Sequence, residues 1–159
     1  MSADSYRANV GLAVFNAAGL VFLGRRAGAD APYQWQLPQG GIDQGETPLT
    51  AAYRELEEET GIAQRLVTLL DETPDWLRYD FPDDVGKRMR HRGQEQKWFA
   101  FRFHGTDADV RLDAHLPAEF SEWRWARLNE APALVIPFKR DVYDAMARRF
   151  APFAGDARG

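Results

Sequence analysis

No cysteine occurs anywhere in the 159 residues. That absence excludes a disulfide scaffold, a thiolate zinc site and a cysteine nucleophile, so any metal must be held by oxygen or by histidine nitrogen. Histidine is scarce as well: His91, His104 and His115 are scattered without ligand spacing, and we read His91 as part of a basic loop and the other two as surface residues. No segment approaches the roughly 18 consecutive apolar residues of a membrane span, and the amino-terminal stretch lacks the basic and apolar regions of a leader. The default expectation is a cytoplasmic enzyme. Excess positive charge is also missing, and a net charge of -4 argues against a protein that coats nucleic acid through a uniform basic surface. Local basic patches remain at Arg25 and Arg26, at Lys87, Arg88, Arg90 and Arg92, at Lys139 and Arg140, and at Arg148 and Arg149. No internal repeat or low-complexity tract is present. The length suits one domain with a sizeable core, expected over residues 1–155 with a short tail at 156–159.

Residues 10–15 and 20–23 are short β-rich runs separated by Asn16-Ala-Ala-Gly19, which predicts a hairpin. The stretch 35–41, WQLPQGG, is expected to be loop because its glycines and proline break regular structure. Thr47-Pro48 predicts an N-cap with proline in the first helical position, and Gly61 predicts a left-handed helix end. Between them lies a helix of about 12 residues. Residues 66–70 and 97–103 read as strands, the second from the alternation of Trp98, Ala100 and Arg102 against Phe99, Phe101 and Phe103. Residues 74–93 are polar and rich in turn formers, which predicts a long functional loop. A short strand around Trp123-Arg-Trp125 and an amphipathic helix over residues 138–150 complete the order. Strands before, between and after two helices favour an α/β fold with a mixed sheet.

The chemistry sits on the first helix. Each helical residue turns about 100°, so Glu55, Glu58 and Glu59 fall within an arc of roughly 100° while Leu49, Tyr53 and Leu56 occupy another. Taken alone, a run such as Glu57-Glu58-Glu59 is an ordinary solvated face. Crowded carboxylates repel, however, and a hard divalent cation such as Mg²⁺ or Mn²⁺ compensates that repulsion while activating a water for attack on phosphorus. The flanks give the cluster context. Gly40 is followed at fixed distances by Glu46, Arg54-Glu55-Leu56, Glu58-Glu59 and Gly61-Ile62.

In this respect residues 40–62, GGIDQGETPLTAAYRELEEETGI, resemble the Nudix hydrolase family and meet every fixed position of its motif. The resemblance implies the α/β/α sandwich of the Nudix fold with a mixed central sheet. It also implies that Glu55, Glu58 and Glu59 ligate metal, that Gly40 offers its carbonyl, and that Arg54 holds the glutamates by an ion pair. Glu46 is then structural rather than catalytic.

The motif leaves the substrate open, and other segments bear on it. YRANVG at 6–11, WQLPQGG at 35–41, WLRY at 76–79, GQEQKWF at 93–99, EFSEWRW at 119–125 and FKRDVY at 138–143 resemble the RNA pyrophosphohydrolase and dinucleoside polyphosphate hydrolase branch. That branch implies Mg²⁺ or Mn²⁺, more than one ion, and an RNA 5′ end or a dinucleoside polyphosphate as partner. By the same resemblance Arg26 and Phe138 sandwich a base, Lys139 and Ile136 lie at its edge, and Arg7 and Tyr79 contact phosphate. Glu119 matches a glutamate that completes the metal shell or serves as base. The chain departs from the branch at 27–34, which is longer, and at 80–92, whose composition differs while staying basic. Three other readings stay open: a diadenosine tetraphosphate hydrolase with little action on RNA, a housecleaning nucleoside triphosphate or ADP-ribose hydrolase, and a Nudix-fold module that senses a nucleotide without cutting it.

Overall fold

The computed structural model describes residues 5–28, 34–86 and 89–155. The expected tail at 156–159, most of the long 27–34 loop and the Lys87-Arg88 pair lie outside them. The β-rich start forms β1 (Tyr6–Phe15) and β2 (Val21–Arg26), paired antiparallel through Phe15 and Val21. Asn16 makes the turn by accepting the N–H groups of Ala18 and Leu20 on its side-chain oxygen. Next come β3 (Trp35–Gln36) and β4 (Gln39–Gly41), then helix α1 (Pro48–Thr60), β5 (Val67–Glu72), β6 (Leu77–Asp80) and the one-turn α2 (Asp83–Gly86). The chain finishes with β7 (Gly93–Phe103), β8 (Phe120–Ala126), the short α3 (Ala131–Leu134) and α4 (Arg140–Phe150).

Two expectations need correction. Residues 35–41 carry two short strands rather than loop alone, because β3 pairs with β2 and β4 with β1 despite the glycines. Residues 74–93 are likewise not one loop: β6 pairs antiparallel with the early part of β7, which begins at Gly93 and not at Lys97. The buried Gln94 and Gln96 break the apolar alternation there; the Tyr79 hydroxyl donates to Gln94, and Gln96 donates to the Asn9 amide oxygen.

Among the described residues eight strands form one mixed sheet, with β1 and β7 parallel at its centre and β3-β2-β1-β7-β5 as its path. Strand periodicity splits the core in two. Val10, Leu12 and Val14 of β1 and Phe99, Phe101 and Phe103 of β7 face Ala51, Ala52 and Leu56 of α1. Ala13, Phe15, Trp98 and Ala100 point the other way, toward Val142, Tyr143, Met146 and Phe150 of α4. The result is the α/β/α sandwich that the element order predicted. Fully burying a side chain such as Leu56 contributes about 1.5–3 kcal/mol, so α1 is fixed to the sheet by its apolar side and leaves its acidic side to the cleft. No helix among the described residues is long and apolar enough to cross a membrane.

Candidate active site

Helix α1 starts and stops where its sequence dictates. Thr47 is extended at φ -78° and ψ 157° and accepts the Thr50 N–H at 3.2 Å, Pro48 opens the first turn, and Gly61 closes the helix at φ 77° while donating to the Glu57 carbonyl. This frame sets the helix rotation, and with it the acidic side chains. Glu55 and Glu59 are buried and lie beside each other, whereas Glu58 is half-buried further round.

Strand β4 lies against that acidic face through three consecutive residues. The Gln39 N–H donates to Glu59 Oε1 at 3.3 Å. Gly40 has no room for a side chain, since a Cβ there would meet Glu55 Oε1 at 2.6 Å with the rest of the carboxylate closer still. The Gly41 carbonyl accepts Arg54 Nη2 at 2.8 Å. Arg54 is the hub behind these contacts. It grips Glu46 with two bonds, Nε to Oε2 at 2.7 Å and Nη2 to Oε1 at 2.9 Å, and gives Nη1 to Glu55 Oε1 at 2.9 Å. The same Nη1 stands 3.5 Å from both oxygens of Glu58. The Arg54 guanidinium beside Glu46, together with the Asp43 N–H, holds the Glu46 carboxyl down to about 2.

Glu55 and Glu59 behave oppositely to Glu46. Burial pushes both carboxyls above the usual range; repulsion from Glu58 adds to it for Glu55 against the pull of Arg54, and repulsion from Glu55 and Glu119 adds to it for Glu59, whose rise is the larger. Among the described residues no three histidine, aspartate or glutamate side chains converge as a ready-made metal site. The donor set nonetheless suits a hard divalent cation: all the candidate ligands are oxygen, and the Glu55–Glu59 pair sits in the cleft with more negative charge than Arg54 alone offsets. Glu58 lines the same cleft and shares Arg54 with Glu55, at 3.5 Å against 2.9 Å.

A cleft of about 720 Å³ gathers the other residues singled out in the sequence. Gly40, Glu55, Glu58 and Glu59 line one side, with Arg7 close over Gly41. Arg26, Glu119, Ile136, Phe138, Lys139 and Tyr79 line the remainder, and Arg54 stands behind the wall. Strand pairing explains part of this convergence. A register shift between Arg25 and Arg26 sets Arg26 opposite Phe120, and the Ala27 N–H bonds the Glu119 carbonyl at 2.9 Å, so both side chains reach one rim. The aromatic wall is Phe138 with Tyr79 at 5.6 Å and Phe81 at 6.1 Å between ring centroids. The Tyr79 hydroxyl donates to Gln94 Oε1, so a phosphate contact would replace that partner. Burial and the nearby Arg26 push the Lys139 ammonium down to about 8; its Nζ donates to Gln36 Oε1 at 3.4 Å and Gln39 Oε1 at 3.3 Å.

Several lining residues escaped the sequence reading. Asn9, Gln36, Gln39 and Gln94 form a polar floor, and Phe81, Val85 and Met89 line the side reached by the 80–92 segment. His115, read as a plain surface residue, is exposed but borders the cleft. The period-2 pattern of GQEQKWF, with glutamines at 94 and 96, was the available signal for the floor.

A carboxylate-bearing helix lines the cleft of a mixed sheet opposite an aromatic wall, and the family model described as NUDIX domain matches residues 5–146. The chain belongs to the Nudix family. Among its relatives, the RNA pyrophosphohydrolase of Acidiphilium cryptum (strain JF-5) is 58% identical over 153 residues, covering 94% of this chain and 92% of the relative. The RNA pyrophosphohydrolase of Caulobacter vibrioides (strain NA1000 / CB15N) is 49% identical over 158 residues, covering 97% and 89%. The C. elegans Ap4A hydrolase binary complex has a similar fold, with TM-score 0.66, 22% identity and coverage of 92% and 98%. So does the E. coli dihydroneopterin triphosphate pyrophosphohydrolase, with TM-score 0.69 and 19% identity over 92% of this chain and 99% of that one.

Proposed function

We propose that this protein is a Mg²⁺- or Mn²⁺-dependent pyrophosphohydrolase that removes pyrophosphate from 5′-triphosphorylated RNA in the cytoplasm, initiating RNA decay. The observation that carries the reading is the buried Glu55–Glu59 pair lining the same cleft as a base-sized wall of Arg26, Phe138 and Lys139. The names of the relatives support the substrate. Residues 1–155 act in this reading as one catalytic domain.

Glu55, Glu58, Glu59 and Glu119, with the Gly40 carbonyl, would hold more than one ion. Bound cation would neutralise phosphate charge and lower the pKa of an attacking water. Arg54 fixes Glu55 through its 2.9 Å bond and keeps its own charge in the wall. Arg7, exposed beside Gly41, offsets charge on the leaving phosphates, and Tyr79 adds a phenol to the same contacts. Glu119, on the rim, takes the proton from the attacking water. Arg26 and Phe138 stack the base while Ile136 and Lys139 bound its edge.

Cleavage of dinucleoside polyphosphates is the second reading. It is favoured by the same wall, which receives a nucleobase whether or not a chain follows it. Glu58→Gln tests the chemistry: turnover should fall by orders of magnitude with the unfolding transition intact, and near-normal turnover in a folded variant overturns the assignment.

A further inference from the structure

The polar floor of the cleft has a fixed direction, and following it identifies a residue with two duties. Trp98 can only donate through its indole N–H, and it gives that proton to Gln96 Oε1 at 3.1 Å. The Gln96 amide nitrogen must then face outward, where it donates to Asn9 Oδ1 at 2.8 Å and to Gln39 Oε1 at 3.3 Å. Gln39 therefore presents its oxygen to Gln96, and the same oxygen accepts the Lys139 ammonium at 3.3 Å. Its side chain also hydrogen-bonds Tyr79, whose hydroxyl passes its proton on to Gln94. The carboxamide of Gln39 thus lies between Lys139 and Tyr79 of the base wall. Its backbone N–H holds Glu59.

From this geometry we infer that Gln39 is a positioning residue that ties the seat of Lys139 to the seat of Glu59, so that filling the base wall helps align the acidic centre. β4 is suited to the task because it is three residues long and laddered to β1, with Gly11 opposite Gln39. Its neighbours Gly40 and Gly41 abut Glu55 and Arg54, so a displacement at Gln39 is felt along the acidic wall. The inference rests on the proposed function for the identity of the base-bearing substrate.

The test compares kcat/KM on a 5′-triphosphorylated trinucleotide with kcat/KM on matched chains lacking the first or the second base. The ratio measures what the base contributes. Gln39→Leu should lower the ratio about tenfold, the worth of one hydrogen bond to a charged group. Lys139→Met should lower it similarly, and the double variant no further. Gln39→Glu, which keeps the acceptor for Gln96 and Lys139 but loses the N–H that faces Tyr79, should recover part of the ratio. A ratio unmoved by Gln39→Leu, or losses that multiply in the double variant, would overturn the inference. Should Gln39→Leu fail to fold, Gln39→Met takes its place in the same comparison. A wild-type protein inactive on every RNA would defeat the RNA reading alone, and the coupling is then judged on diadenosine tetraphosphate against its counterpart lacking one adenine. Inactivity on both overturns the coupling as well.

Discussion

Gly40→Ala adds a single methyl group at the contact between β4 and the acidic helix. The new Cβ would overlap the Glu55 carboxylate, whose farthest oxygen, Oε1, lies 2.6 Å away, so relaxing the overlap to ordinary separations needs a displacement of well over about 1 Å. The strand cannot retreat easily, because Gly40 is laddered to Val10 and flanked by the Leu12 N–H to Pro38 carbonyl bond at 2.9 Å and the Ile42 N–H to Ala8 carbonyl bond at 3.3 Å. The carboxylate must move instead, breaking its bond to Arg54 or its contact with Glu59. A misplacement of about 1 Å among positioned catalytic groups costs on the order of 100-fold in rate, or about 2.7 kcal/mol of barrier. Overpacking of this kind also costs about 1–3 kcal/mol of stability. The assay is pyrophosphate release under saturating Mg²⁺, beside a urea unfolding curve that establishes how much protein is folded. A Gly40→Ala protein that is folded and turns over at the wild-type rate would refute the claim that Glu55 must sit on bare backbone.

Arg54→Lys should not rescue Arg54→Met, since an ammonium cannot span Glu46, Glu55 and the Gly41 carbonyl as the guanidinium fork does; both should lose activity and about 1–3 kcal/mol of stability, read from denaturant midpoints. Lys139 carries a different sign. Its ammonium is pushed down to about 8 in the folded chain against 10.5 when solvated, so the folded state sheds its proton first. Below about pH 8 the lysine is charged in both states and the cost of burying it is present in full, on the order of 3 kcal/mol; stability should therefore rise as pH goes from about 8 toward 10.5. Lys139→Met should flatten that rise and stabilise the protein at neutral pH while raising KM. A flat wild-type profile, or a destabilised variant at pH 7, would contradict the assignment.

Much of the scaffold was legible because it rests on local chemistry. The Thr47-Pro48 start and Gly61 stop of α1 are set by a few adjacent residues, and the alternation of β7 beyond Lys97 encodes its two buried faces directly. The early half of β7 was hidden for the opposite reason. Gln94 and Gln96 are polar yet buried, and their partners Tyr79, Asn9 and Gln39 come from remote parts of the chain, so the strand pattern was visible only from Lys97. Strands β3 and β4 were masked by Pro38 and the glycines that let β4 approach Glu55. At the candidate site, spacing alone brought Glu55, Glu58 and Glu59 to one side of a helix, but the burial of Glu55 and Glu59 against a half-buried Glu58 depends on β4 packing over them. The positions of Arg26, Glu119, Phe138 and Lys139 were accessible only through resemblance. Their convergence arises from the β2–β8 register and the packing of the α4 approach, neither of which a linear pattern records.

The most direct measurement follows a 5′-triphosphorylated RNA labelled on its terminal phosphates, with and without Mg²⁺. Labelled pyrophosphate and a monophosphorylated RNA are expected when the ion is present, and neither when it is chelated. Unchanged RNA with Mg²⁺ bound to the folded protein would contradict the proposed function.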